Sequence, residues 1–231
     1  MSMSKNIVKK IFQVNGGKGG VGKSFVSMAL IDYFRQKNEA VLLVETDTSN
    51  PDVYKIYHQI IDSVLIDLDS ADGWIDLVNT CEKFPDHIVI INTAARNHKG
   101  MEQYGSLLTG TLNELKRELV TYWVINRQRD SVELLKNFTK IVPEHRIHVF
   151  MNEYFGSQEK FELYNSSELK KNLESNDGKS IIFPEIADRV SDEIYSKRIA
   201  IENAATSMPI GNRAELNRWR QLIKNTFDDL I

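Results

Sequence analysis

Short runs of apolar, often β-branched residues recur along the chain, and between them lie longer segments whose apolar positions fall at helical spacing. The runs at residues 7–14, 40–45, 87–92, 121–125, 146–151 and 180–183 predict strands, and a shorter run at 64–68 predicts an extra edge strand. Helical period predicts helices over 22–37, 74–84, 101–119, 131–141, 158–173, 188–204 and 213–230. Such alternation is the sequence form of a parallel sheet with helical crossovers, so the expected class is α/β, with a doubly wound, mostly parallel sheet flanked by helices. No repeat, low-complexity tract or Pro/Gly/Ser linker interrupts the pattern, and the polar stretch 174–179 reads as a surface turn. Residues 1–231 are therefore expected to form a single domain.

Composition adds exclusions. The formal net charge of -3 supplies no global field toward nucleic acid or anionic lipid, so any such contact needs a local patch. Cys81 is the only cysteine, which rules out an intrachain disulfide framework, a Cys-ligated zinc site and a Cys-ligated cluster. A reducing cytoplasm is the expected setting. The first ten residues hold no apolar stretch of signal-peptide length, and no run of about eighteen apolar residues occurs anywhere.

The most specific chemistry lies near the start. Gly17-Lys18-Gly19-Gly20-Val21-Gly22-Lys23-Ser24 fits G-x-x-x-x-G-K-[ST], with an apolar run before it and a helical segment opening at Phe25 after it. Glycines let successive backbone N–H groups turn inward toward phosphate oxygens, and the helix N-terminus adds its positive dipole end. Lys23 is expected to bridge the β- and γ-phosphates of a nucleotide, the Ser24 hydroxyl to coordinate Mg²⁺, and Phe25 to stand beside the bound cofactor. A guanine-reading N-K-x-D is absent: Asn126-Arg127-Gln128-Arg129-Asp130 has the wrong spacing and Asn152-Glu153 lacks the lysine, so ATP is expected over GTP.

Lys18 is not required by a phosphate cradle, and with it the loop has the deviant Walker A pattern. Here the chain resembles the ParA/MinD family of partitioning and positioning ATPases. The resemblance implies that Lys18 reaches across a dimer interface to the partner's nucleotide, giving a homodimer around bound ATP that hydrolysis dissolves. On the loop alone, an exposed lysine of no special role is the alternative. The chain's length and the lack of an N-terminal DNA-binding extension look similar to small plasmid-encoded members such as StbB and TraL. That implies a setting in plasmid partitioning, stability or conjugative transfer, with a protein partner such as a DNA-binding adaptor or a conjugation component.

The family usually has two acids separated by one residue after the second strand, the second orienting the attacking water; Glu45 and Asp47 match that spacing. Asp47 is thus a candidate catalytic residue beside Lys18 and Lys23, and a candidate on the metal side. Alternatively it caps a short helix that Pro51 starts. The expected Walker B strand ends in Asn92 where the family has Asp. A neutral amide is a weaker acceptor for metal-bound water and does not offset the cation, so Asn92 predicts weak or slow hydrolysis. Asp86 lies at the opposite end of that strand. Asn152, and Pro184 with Glu185 after the last strand, resemble the family's adenine pocket; an Asn closing a strand is also an ordinary turn residue.

The last helix carries Leu216, Trp219, Leu222, Ile223, Phe227 and Leu230 on one stripe. Asp228 and Asp229 oppose anionic lipid, so the stripe is expected to pack on the sheet and not on a membrane. Arg127 with Arg129, and Lys197 with Arg198, offer non-specific contacts to DNA phosphates or simply a solvated face. Tyr154, Phe155 and Tyr164 are candidates for a lid or partner surface. Two other readings stand beside the ATP-dependent switch: a metabolic P-loop enzyme, either a small-molecule kinase or a dethiobiotin-synthetase-like ligase, and a nucleotide-bound scaffold that does not hydrolyse.

Overall fold

The computed structural model describes residues 9–95, 97–142 and 146–231. Residues 7 and 8 of the expected strand 7–14, and most of the N-terminal stretch read as lacking a leader, lie outside the described residues. Among the described residues, seven strands form one sheet: β1 (Lys9–Asn15), β2 (Val41–Glu45), β3 (Asp62–Leu65), β4 (Ile88–Asn92), β5 (Arg117–Ile125), β6 (Arg146–Asn152) and β7 (Ser180–Phe183). Their order is β3-β2-β4-β1-β5-β6-β7, and every pairing is parallel. The helices are α1 (Lys23–Gln36), α2 (Asp52–Tyr57), α3 (Ala71–Lys83), α4 (His98–Leu115), α5 (Arg129–Ile141), α6 (Glu162–Asn165), α7 (Glu168–Ser175), α8 (Asp188–Lys197), α9 (Ile201–Ser207) and α10 (Ile210–Asp228).

Continuous apolar strands such as Ile88-Val89-Ile90-Ile91 are what a parallel sheet covered on both faces demands. Alternate residues divide between two cores. Phe12, Leu43, Ile90, Tyr122 and Phe150 join α1, α2, α9 and α10 on one face. Ile11, Leu42, Val89, Trp123 and Val149 join α3, α4 and α5 on the other. After β4 the chain passes β1 and continues on its other side with β5, β6 and β7. The crevice at the carboxyl ends of the strands therefore opens beside β1, where such sheets bind ligands.

Several elements depart from the predicted bounds for identifiable reasons. The helix expected to reach residue 119 stops at Leu115, because Lys116 takes a left-handed conformation (φ 54°) and Arg117 to Leu119 enter β5 beside β1. Arg117 then turns inward and donates to the carbonyls of His87 (2.8 Å) and Phe84, holding the end of α3. The predicted helix 158–173 is broken into a 3₁₀ turn, α6 and α7, and α7 starts where the Ser167 hydroxyl accepts from the Lys170 amide at 3.2 Å. The predicted helix 188–204 divides into α8 and α9 at Arg198, another left-handed residue. The edge strand expected at 64–68 pairs as Asp62–Leu65, while Ile66 and Leu68 turn into the core.

The apolar stripe of α10 faces inward: Leu216, Trp219, Ile223 and Phe227 are buried, Leu230 packs beside them, and Leu222 lies outside that contact. Each such burial contributes about 1.5–3 kcal/mol. No described helix is long and apolar enough to cross a membrane.

Candidate functional site

Residues 16–22 wrap from the end of β1 to the start of α1. Asn15 organises the entry, its side-chain oxygen accepting from the amides of Gly16 (2.7 Å) and Gly17 (3.3 Å). Gly17, Gly20 and Gly22 all have positive φ. At Gly22 (φ 105°) a Cβ would also come within 2.4 Å of the Asn152 amide nitrogen, so the position excludes any side chain on both grounds. A Cβ at Gly19 or Gly20 would meet nothing within 4 Å, which leaves the outer lip of the loop open. The first amides of α1 lack intrahelical partners and carry the positive end of its dipole.

Lys23 is folded into this loop, and its Nζ donates to the Lys18 carbonyl at 2.8 Å. Burial lowers its pKa to about 8, against the pull of Asp47 and Glu45. Such an ammonium, held among backbone dipoles, is a site for an anion. The Lys18 side chain runs the other way, to the start of α5, where Nζ lies 2.5 Å from the Gln128 oxygen and 3.1 Å from Asp130. The two partners lie 110 and 112 residues away in the chain, so no local sequence pattern marks the pairing.

On the other side of the loop, the register of β2 and β4 places Glu45 opposite Asn92. The Asn92 amide nitrogen donates to both Glu45 carboxylate oxygens, at 2.9 and 3.1 Å, and its oxygen accepts from the Ser27 hydroxyl at 2.8 Å. Burial pushes Glu45 up to about 7, opposed by the hydrogen bonds from Asn92 and the Asp47 amide. Asp47 accepts from the Ser49 hydroxyl (2.6 Å) and the Asn50 amide (3.1 Å). It thus closes the turn before Pro51; α2 itself has no side-chain cap, so the helix-capping alternative for Asp47 does not hold. Ser24 is the second residue of α1, in its first turn, and is half-buried. The Thr46 hydroxyl, also unanticipated, accepts from the Ala94 amide and the Asn97 side chain, both at 2.9 Å, and so ties the ends of β2 and β4 together.

A cavity of about 380 Å³ adjoins the loop and is bounded by Gly20, Gly22, Phe25, Asn152, Pro184 and Glu185, with Tyr154 and Tyr195 completing its wall. Asn152 spans the gap between strand and loop, donating to the Val21 carbonyl at 2.9 Å and accepting from the Tyr154 amide at 3.1 Å. The Pro184 carbonyl accepts from the Trp219 indole at 2.9 Å, and Phe25 packs on the same indole, ring centres 5.1 Å apart. A larger groove of about 900 Å³ lies between β7 and α10 and includes none of the loop residues, so size alone does not locate the chemistry. Tyr164 is buried with its hydroxyl on Ser180, which corrects the expectation of a lid role for it; Tyr154 is 61% exposed. Arg127, Arg129, Lys197 and Arg198 are exposed.

Residues 12–152 match the CobQ/CobB/MinD/ParA nucleotide binding domain. Protein MobD of Acidithiobacillus ferrooxidans is 55% identical over 225 residues, covering 97% of this chain and 99% of that protein. Protein TraL of Escherichia coli is 25% identical over 159 residues, 64% of each chain. Among solved structures, the MinD cell division protein of Aquifex aeolicus superposes with a TM-score of 0.57 at 12% identity, covering 94% of this chain and 97% of that one. MinD from Pyrococcus horikoshii, complexed with Mg-ADP, gives 0.56 at 15% identity over 93% and 96%. With a family match spanning the phosphate loop through β6 and a relative alike over nearly its whole length, the chain belongs to the CobQ/CobB/MinD/ParA nucleotide-binding family.

Proposed function

We propose that this protein is an ATP-binding switch of the ParA/MinD type, which dimerises around bound ATP and Mg²⁺ and acts with a protein partner in plasmid partitioning, stability or conjugative transfer. The observation that carries the reading is the buried Lys23 ammonium folded into a loop with three positive-φ glycines at the start of α1. The residues fit the ligand. Loop amides and Lys23 suit a polyphosphate, the cavity beside Phe25, Asn152 and Pro184 suits a purine, and the Ser24 hydroxyl with the nearby acids suits a hard cation. ATP supplies the phosphoryl group whose transfer to water would reset the switch. Asp47 is the residue for positioning that water, and Lys18 the one for reaching a partner subunit's nucleotide.

The Mg-ADP complex of a MinD, the MinC:MinD complex of Aquifex aeolicus and the likeness to MobD and TraL support the cofactors, the protein partner and the setting in turn. Arg127 and Arg129 offer non-specific contact to DNA as a secondary feature. Hydrolysis is slow or partner-stimulated; a scaffold that scarcely hydrolyses is a second reading, favoured by Asn92.

Calorimetric titration with ATP and Mg²⁺ should give saturable binding that Lys23→Ala abolishes, and light scattering should give a dimer with ATP and a monomer with ADP. No affinity for any nucleoside triphosphate would overturn the reading. Binding without a change of mass would instead favour a metabolic enzyme.

A further inference from the structure

The neutral residue at the Walker B position has a counterpart on the neighbouring strand. Glu45 and Asn92 are register partners on β2 and β4, both at the carboxyl ends that frame the phosphate loop. The asparagine is fully engaged, its nitrogen on both carboxylate oxygens and its oxygen on Ser27. Glu45 Oε1 also accepts the Asp47 amide at 3.1 Å. An aspartate at 92 has no N–H to offer, and its oxygens would face those of Glu45 at about the same 3 Å separation, which like charges oppose. An amide at 92 and a carboxylate at 45 therefore form a matched pair, with the site's negative charge on β2 instead of β4.

A second observation points the same way. Glu45 has 0% of its surface exposed, and its hydrogen-bond partners among the described residues, the Asn92 side chain and the Asp47 amide, are neutral. A buried carboxylate without a countercharge is costly, and either a proton or a cation relieves it. The Lys23 ammonium feels the Glu45 charge but is held on the Lys18 carbonyl.

We propose that Glu45 supplies the negative charge on the magnesium side of the bound nucleotide, and that Asn92 is a positioning residue that holds Glu45 in place. This rests on the nucleotide-switch reading above. The asparagine then removes no charge from the site, because the charge stands one strand away, and restoring aspartate at 92 alone makes the site worse.

The test is a reciprocal exchange: Asn92→Asp, Glu45→Gln and the double variant, each followed by thermal unfolding without ligand and by ADP affinity with and without Mg²⁺. Asn92→Asp should lower the melting temperature of the ligand-free protein, and adding Glu45→Gln should restore most of it, since the amide and carboxylate have traded strands. Glu45→Gln alone should reduce the enhancement of ADP affinity by Mg²⁺ roughly tenfold, and the double variant should recover it. If Glu45→Gln does not fold, the double variant compared with Asn92→Asp decides the question. Full magnesium enhancement in Glu45→Gln, or a double variant worse than both single ones, overturns the proposal while leaving nucleotide binding intact. A wild-type protein that binds no ADP under either condition removes the switch reading itself.

Discussion

Lys18 and Asp130 form an ion pair within one chain, Nζ to carboxylate 3.1 Å, with the Gln128 side chain accepting from the same ammonium. The residue that the proposed dimer would send across its interface is here held by the first turn of α5, so tether and dimer compete for one side chain. The pair is partly exposed, and such pairs contribute about 0.2–1 kcal/mol. Asp130→Ala is expected to lower the protein concentration for ATP-dependent dimerisation about two- to fivefold, read by sedimentation with a non-hydrolysable analogue. An unchanged or raised midpoint would show that the tether does not oppose assembly.

Gly22 should respond strongly, and Gly19 hardly at all, to the same added methyl. Alanine at Gly22 needs a positive φ and meets the Asn152 amide, so a loss of about 1–3 kcal/mol in stability and a marked loss of ADP affinity are expected. Gly19→Ala meets open space and should leave unfolding within about 0.5 kcal/mol of wild type. Denaturant unfolding of the two variants side by side checks this.

Arg117 is a buried cation whose partners are backbone carbonyls at and beyond the end of α3. Methionine preserves much of its bulk but withdraws the guanidinium donors, leaving the Phe84 carbonyl with the His87 amide alone (3.2 Å). Arg117→Met should cost about 2–4 kcal/mol, a fall of roughly 5–15 °C in Tm by calorimetry, with ADP affinity at saturating magnesium unchanged.

His148 should make stability depend on pH. Its Nδ1 accepts from the Lys179 amide at 3.1 Å, and Nε2 is buried without a partner among the described residues. Burial first, then the charges of Arg146, Lys179 and Lys10, lower its pKa from 6.5 to about 4. Between those values the unfolded chain takes up a proton that the folded protein does not, so stability falls as pH drops from 6.5 toward 4. The loss approaches roughly 3 kcal/mol at the acid end. Unfolding of wild type and His148→Gln across this range should converge as the pH falls; parallel curves would count against it.

The parts of this fold that were legible in advance are those where one local rule acts alone. The runs at 40–45 and 87–92 are continuous and apolar because both their faces are covered, and the glycine loop is marked by residue types that few other structures require. The start of β5 was not legible, since Arg117 and Glu118 look like the end of a helix and only the inward carbonyls explain the arginine. Arg198 gave no warning of a break because a non-glycine left-handed residue has no sequence signature. In the site, the departure at Asn92 was visible, but its meaning lay in Glu45, brought alongside by the strand order and 47 residues away. Lys18 and Asp130 are separated by 112 residues and meet only because β5 lies beside β1.

The contact of Phe25 with Trp219, whose indole is fixed to the Pro184 carbonyl, couples a fluorescent side chain to the wall of the site. The indole is wholly shielded from water, yet both groups that hold it also wall the cavity beside the glycine loop. Occupancy of that cavity is therefore expected to change the emission of Trp219, one of three tryptophans in the chain, and the final helix, far along the chain from the loop, is where it would be seen.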